Sequence, residues 1–125
     1  MYEAWFDGST NIGRHKSGIG WIIKHGGEII KAKSKQIPFQ KHSAVAEDEA
    51  LIDLLLTIEQ MGIDDITIYG DCRVVIAQAS GADYKAYGRY RGMVEDILGR
   101  LNNVRFKWVP RSDNRVADAL SRSAY

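Results

Sequence analysis

Cysteine is nearly absent from this 125-residue chain: Cys72 stands alone, so no disulfide can form within it. Histidine is sparse as well. His15, His25 and His42 are scattered without the spacing of a zinc site, and with one thiol beside them zinc ligation is not expected. No aliphatic run exceeds a few residues, far short of the ~20 that cross a bilayer. Glu3 and Asp7 precede any apolar stretch long enough for a signal peptide. These absences set the expectation of a soluble protein in a reducing, cytoplasmic setting, with no membrane partner. An excess of one charge is also missing: 17 Lys and Arg against 16 Asp and Glu leave a net charge of +1, so bulk charge does not announce nucleic acid. Only two prolines occur, Pro38 and Pro110, and each falls where an apolar run stops.

What is present suffices for one core. At 45% hydrophobic over 125 residues, the chain matches the ~100–150 residues commonest for a domain, so residues 1–125 are expected to form a single domain. Charge is unevenly spread. Eight acidic residues lie from Glu47 to Asp71 with no Lys or Arg among them, whereas Lys24 to Lys41 carries five lysines and Lys85 to Arg122 is rich in Lys and Arg. Two divalent cations held by acids would lift the net charge from +1 to about +5, which suits a polyanionic partner.

Tyr2 to Phe6 has the alternating large residues of a first strand, which ends on a carboxylate, Asp7, before Gly8. Gly18 to His25 and Glu28 to Ile37 are β-branched runs joined by Gly26-Gly27, a two-residue hairpin signal. Pro38 closes the third strand because it lacks a ladder donor. From Ser43 to Met61 the period becomes helical. At ~100° per residue, Leu51, Leu54, Ile58 and Met61 fall within roughly 40° of Glu47, while Glu49 and Asp53 point away. Ser43 suits an N-cap and Gly62 a C-terminal stop. Ile66 to Tyr69 predicts a fourth strand, followed by Gly70 and Asp71, with helices from Cys72 to about Ser80 and from about Tyr87 to Leu101. Val104 to Val109 predicts a fifth strand ended by Pro110, and Ser112 or Asp113 caps a last helix through Ser121. The order implies an α/β sheet with an antiparallel meander on one side and right-handed parallel crossovers on the other. Ligands of such sheets gather at the carboxyl ends of parallel strands, where Asp7 and Asp71 are expected.

Neighbouring buried carboxylates need cations or protons, because desolvation and mutual repulsion raise their pKa values. Hard oxygen ligands suit Mg²⁺ or Mn²⁺. Asp7 and Asp71 qualify as strand-end acids, and Glu47 as an acid on an apolar helix face where Asp48 and Glu49 are poorer candidates. Asp118 does not qualify on this ground: it points away from Val116 and Leu120, as a solvated helix carboxylate would.

Four segments together, "FDGST", "AVAEDEAL", "IYGDCRVV" and "VPRSDNRVADALSR", resemble the type 1 ribonuclease H family in order, element type and spacing over essentially the whole chain. The last is also similar to ribonuclease H domains attached to retroelement reverse transcriptases. The resemblance implies an α/β, ribonuclease H-like fold with a five-stranded mixed sheet in the order 3-2-1-4-5, strand 2 antiparallel, flanked by helices. It implies a site of Asp7, Glu47, Asp71 and Asp118 binding two Mg²⁺ (or Mn²⁺) ions, with Asp7 bridging them. It further implies hydrolysis of the RNA strand of an RNA/DNA hybrid to products with 5′ phosphates. Asp118 enters the set on resemblance alone.

The expected nucleic-acid contacts are Gly8, Ser9, Thr10 and Gly13, read as a loop close to a sugar-phosphate chain that could sense a 2′-OH, with Ser43, Arg111 and Asn114. Several positions depart from the family. Gly13-Arg14-His15 stands where many members have Asn-Pro-Gly, His42-Ser43-Ala44 where many have an Asn pair, and the loop "VPRSDN" lacks the histidine some members carry. Arg111 could hold a phosphate there but cannot act as a base. No extra basic helix is present, with Lys85, Arg89 and Arg91 as partial substitutes. Two other readings stay open: a binding module with weak or no catalysis, and a nuclease on a different substrate.

Overall fold

The computed structural model describes residues 1–81 and 88–125, so Lys85 lies outside the described residues, as does the side chain of Arg89. The strands are β1 (Tyr2–Asn11), β2 (Lys16–His25), β3 (Glu28–Ile37), β4 (Ile66–Gly70) and β5 (Val104–Trp108). The helices are α1 (Ser43–Met61), α2 (Arg73–Ala79), α3 (Gly88–Leu98) and α4 (Arg115–Ser123), the last preceded by a 3-10 turn, Arg111–Asp113. The sheet order is β3-β2-β1-β4-β5, as expected, with β1, β2 and β3 antiparallel and β4 and β5 parallel to β1.

Gly26 and Gly27 make the β2–β3 turn with φ of 60° and 84°, the doubly left-handed geometry that matches strand twist and that residues with a Cβ resist. β3 forms one edge. Of its alternating lysines, Lys33 is paired with Asp53 of α1 at 3.0 Å. Asp53 also accepts the indole N–H of Trp21 at 2.8 Å, so it is clasped at the sheet edge rather than pointing away.

The first strand is longer than its apolar pattern suggests. Gly8, Ser9 and Thr10 are strand, not loop, because they pair with Ile19, Gly18 and Ser17 of β2. The parallel partner stops earlier: β4 pairs with β1 only as far as Trp5 opposite Tyr69. Asp7 therefore sits inside a strand, opposite Gly20, yet beyond the end of the parallel ladder.

One face of the sheet carries the core, where Phe6, Trp21, Ile23, Ile66 and Ile68 meet Leu51, Leu54, Leu55 and Ile58 of α1. The α1 stripe holds except at its end, where Met61 is exposed one residue before Gly62 turns left-handed. Ile52, off the stripe, is buried as well, and Leu56 is exposed. The other face is crossed by α4. A Cβ on Gly20 would overlap the backbone of Ala117 and Ser121, so glycine at this strand position is what lets α4 lie flat on β2. Among the described residues no helix is long and apolar enough to cross a membrane.

Candidate active site

Three side chains from distant parts of the chain converge at one end of the sheet. Asp7 comes from β1, Glu47 from the second turn of α1, and Asp71 from the first residue after β4. One carboxylate oxygen of each lies within 4.8 Å of the others. Asp7 is 4% exposed and Glu47 6%.

Backbone packing aligns the first two. A Cβ on Gly8 would overlap Ala46 and the Glu47 backbone, so α1 rests directly on β1 and carries Glu47 to Asp7. Gly8 thus makes room for a helix of the same chain, a role its place in the sequence does not announce.

Asn114 aligns the third. Its Nδ2 donates to the Phe6 carbonyl at 2.9 Å and to Asp71 Oδ2 at 3.1 Å, tying the middle of β1 and the residue after β4 to the start of α4. At 1% exposure it is a buried organiser and offers no surface to a nucleic acid, which corrects its expected role. It also occupies the N-cap position expected of Ser112 or Asp113, which lie in the 3-10 turn.

Asp118 lies on the wall of the cavity that these acids floor, outside the triad, and one of its oxygens accepts from Arg122 Nε at 3.1 Å. Ser121, one turn on, donates to Asp7 Oδ2 at 3.2 Å. The cavity, about 500 Å³, is further lined by Gly8, Ser9, Thr10, Ser43 and Arg111. Of the expected contacts, Gly13 is not there; it is exposed at the tip of the β1–β2 hairpin. Ser43 is there as the first helical residue, not as a cap, since the N-cap position is His42.

Residues 5–124 match the family described as Reverse transcriptase-like. The Ribonuclease HI of Halobacterium salinarum is 30% identical over 125 residues, covering 98% of this chain and 63% of that protein. The crystal structure of RNase H1 from the same archaeon superposes with a TM-score of 0.89 at 29% identity, covering 98% of this chain and 96% of that one. The chain belongs to the ribonuclease H type 1 family. A structure of LC11-RNase H1 in complex with an RNA/DNA hybrid shares the fold, with a TM-score of 0.88 at 24% identity over 99% of this chain and 96% of that one. The chain spans just under two thirds of the length of the Halobacterium relative, and 34% of the mycobacterial Rv2228c protein, described as bifunctional, to which it is 25% identical.

In this ribonuclease H-family site the electrostatics follow from burial. Desolvation pushes Asp7 up to about 7, a rise opposed by the hydrogen bond from Glu47 and furthered by the charges of Asp71 and Asp118. Glu47 is driven far above the carboxylate range, first by burial and then by its hydrogen bond to Asp7. Burial thus disfavours the charged form of both carboxyls while no cation faces them. Clustered, buried carboxyl oxygens are the donor set a hard divalent ion prefers. Among the described residues no histidine lines the cavity, and Cys72 contributes a single thiol, so the donor chemistry fits Mg²⁺ or Mn²⁺ better than zinc.

Other hydroxyls are already engaged. Thr10 Oγ1 donates to the Gln40 carbonyl at 2.6 Å, fastening the hairpin to the segment before α1. Ser9 shares a 2.9 Å hydrogen bond with the Tyr125 hydroxyl. Arg91 pairs with Glu95 on its own helix at 2.9 Å. Tyr125 and Arg122, both on the cavity wall, were not anticipated from the sequence. Arg122 had a readable signal, since it follows Asp118 by four residues, the spacing at which an acid and a base share a helix face.

Asp48, a poorer candidate by its place on the helix, stands outside the triad, but it is buried to 2% exposure with one oxygen unpartnered. Burial, then the charge of Glu49, pushes it up to about 7. The raised value means that its contribution to stability is fully present below about pH 4 and is lost as pH rises through about 7. Asp48→Asn removes that loss. Its melting temperature should gain on wild type between pH 5 and pH 8, by the equivalent of roughly 2 kcal/mol; parallel melting curves across that range would rule the effect out.

Proposed function

We propose that residues 1–125 act as a single domain that hydrolyses the RNA strand of RNA/DNA hybrids, using two divalent cations and leaving 5′ phosphates. The observation that carries this reading is the meeting of Asp7, Glu47 and Asp71 within 4.8 Å in a cavity open to the surface. Kinship with Ribonuclease HI supports it, as does the hybrid bound by the similarly folded LC11-RNase H1. The lone free cysteine agrees with action in the reducing cytoplasm.

Asp7, Glu47 and Asp71 would hold Mg²⁺ or Mn²⁺, with Asp7 central and Asp118 closing the set from the wall. When bound, the ions supply an activated water and neutralise charge at the leaving oxygen. The protein's own part begins with these buried acids, which must be deprotonated to bind a cation. Asn114 keeps Asp71 aimed at the cavity through its 3.1 Å hydrogen bond, and Ser121 orients Asp7. At the wall Arg111 offers a planar, permanently charged fork to a phosphate. Ser9 and Tyr125 present hydroxyls at the rim, where a 2′-OH can both donate and accept.

Labelled RNA/DNA hybrid, RNA duplex and DNA duplex, each incubated with Mg²⁺ or Mn²⁺, test the reading directly. Cleavage confined to the RNA of the hybrid and lost in Asp71→Asn is the expected result. Cleavage of another duplex reassigns the substrate, and no cleavage with either metal leaves a binding module.

A further inference from the structure

Among the described residues, two cations line a cavity otherwise notable for its acids: Arg111 and Arg122. Arg122 is the one already committed. Its Nε is 3.1 Å from Asp118 Oδ1, and Asp118 is the cavity acid that stands apart from the compact triad. α4 fixes both positions. The helix is seated on β2 at Gly20, Ser121 reaches Asp7, and the spacing of four residues brings Asp118 and Arg122 to one side of the helix at the cavity wall.

We propose that Arg122 is a positioning residue with two alternating partners: it holds Asp118 while no cation is bound, and it turns to a phosphate of the nucleic-acid strand once a cation claims Asp118. The inference rests on the metal-dependent reading above. The exchange costs little, because the ion pair is half exposed, with side-chain exposures of 58% for Arg122 and 22% for Asp118, and such pairs are weak. It also keeps charge balanced. Without metal, the guanidinium offsets one acid of an over-acidic cavity. With metal bound, the cavity gains positive charge, Asp118 has a stronger partner, and the released guanidinium faces the polyanion. Being always protonated, arginine makes this switch without taking up or losing a proton.

The test is calorimetric titration of Mg²⁺ into wild type, Arg122→Gln and Arg122→Lys, followed by hybrid-cleavage kinetics on all three. Arg122→Gln should bind Mg²⁺ roughly two- to fivefold more tightly, since a competitor of the size of an exposed ion pair is gone. Its KM for the hybrid should rise with kcat little changed, and the slope of log KM against log salt should fall by about one phosphate contact. Arg122→Lys, which keeps the charge, should recover much of the lost affinity for hybrid. Unchanged Mg²⁺ affinity, or weaker Mg²⁺ binding in Arg122→Gln, overturns the proposal, the second because it would make Arg122 a support of the ligand set. Absence of Mg²⁺ binding in wild type itself removes the metal-dependent reading, and the inference with it.

Discussion

Asp7→Asn should abolish cleavage of the hybrid and, in the absence of metal, make the protein more stable. Both expectations come from one fact: Asp7 is 4% exposed, and burial has already pushed its carboxyl up to about 7. The native fold meets a cost in keeping this group among Glu47, Asp71 and Asp118, and an amide of the same shape removes the charge while leaving an acceptor for Ser121 and Glu47. The gain should be on the order of 2 kcal/mol at pH 7.5. Because the folded pKa is raised, wild type closes the gap as pH falls well below 7. Millimolar Mg²⁺ should reverse the order, since a ligand that binds only the native state stabilises wild type and finds no central ligand in the variant. Thermal melts of both proteins with and without Mg²⁺ measure this. A wild-type melting point indifferent to metal, together with an Asp7→Asn protein that melts lower, would count against a cation site built around this residue.

Gly8→Ala should be a severely damaging single-methyl change. The added carbon has no free space: the backbone of Ala46 and Glu47 already fills it. A backbone obstacle cannot swing aside as a side chain can, so α1 must lift from β1, costing about 3 kcal/mol or more. Lifting the helix draws Glu47 from Asp7, so activity falls beyond what lost stability explains. Gly13→Ala is the control. At the exposed hairpin tip its methyl would meet only Asn11 Oδ1, at an ordinary 3.5 Å, and it should change neither melting temperature nor cleavage. Urea unfolding and hybrid cleavage on both variants decide the matter, and a Gly8→Ala protein of native stability and activity would mean that the helix does not bear on the strand.

Much of the architecture was legible because the signals were local and periodic. Alternation and the Gly26-Gly27 turn announced the meander, and a 100° stripe of leucines announced α1 with Glu47 on its buried side. Boundaries were less legible where pairing overrode composition. Ser9 and Thr10 have the polarity of a loop, yet β2 supplies partners for their backbone and makes them strand. Asn114 has the character of a surface contact. It is buried where α4 begins against β1 and the end of β4, and there it satisfies the Phe6 carbonyl and Asp71.

Periodicity along the chain was enough to establish the class of fold and to single out the three acids able to meet, whereas the sheet order came from the resemblance of its motifs to the ribonuclease H family. Nothing local could reveal that Gly8 serves a helix or that Asp48 is as buried as Glu47. Those facts depend on which surfaces press together. Close packing is a property of two elements at once, and neither sequence carries it alone.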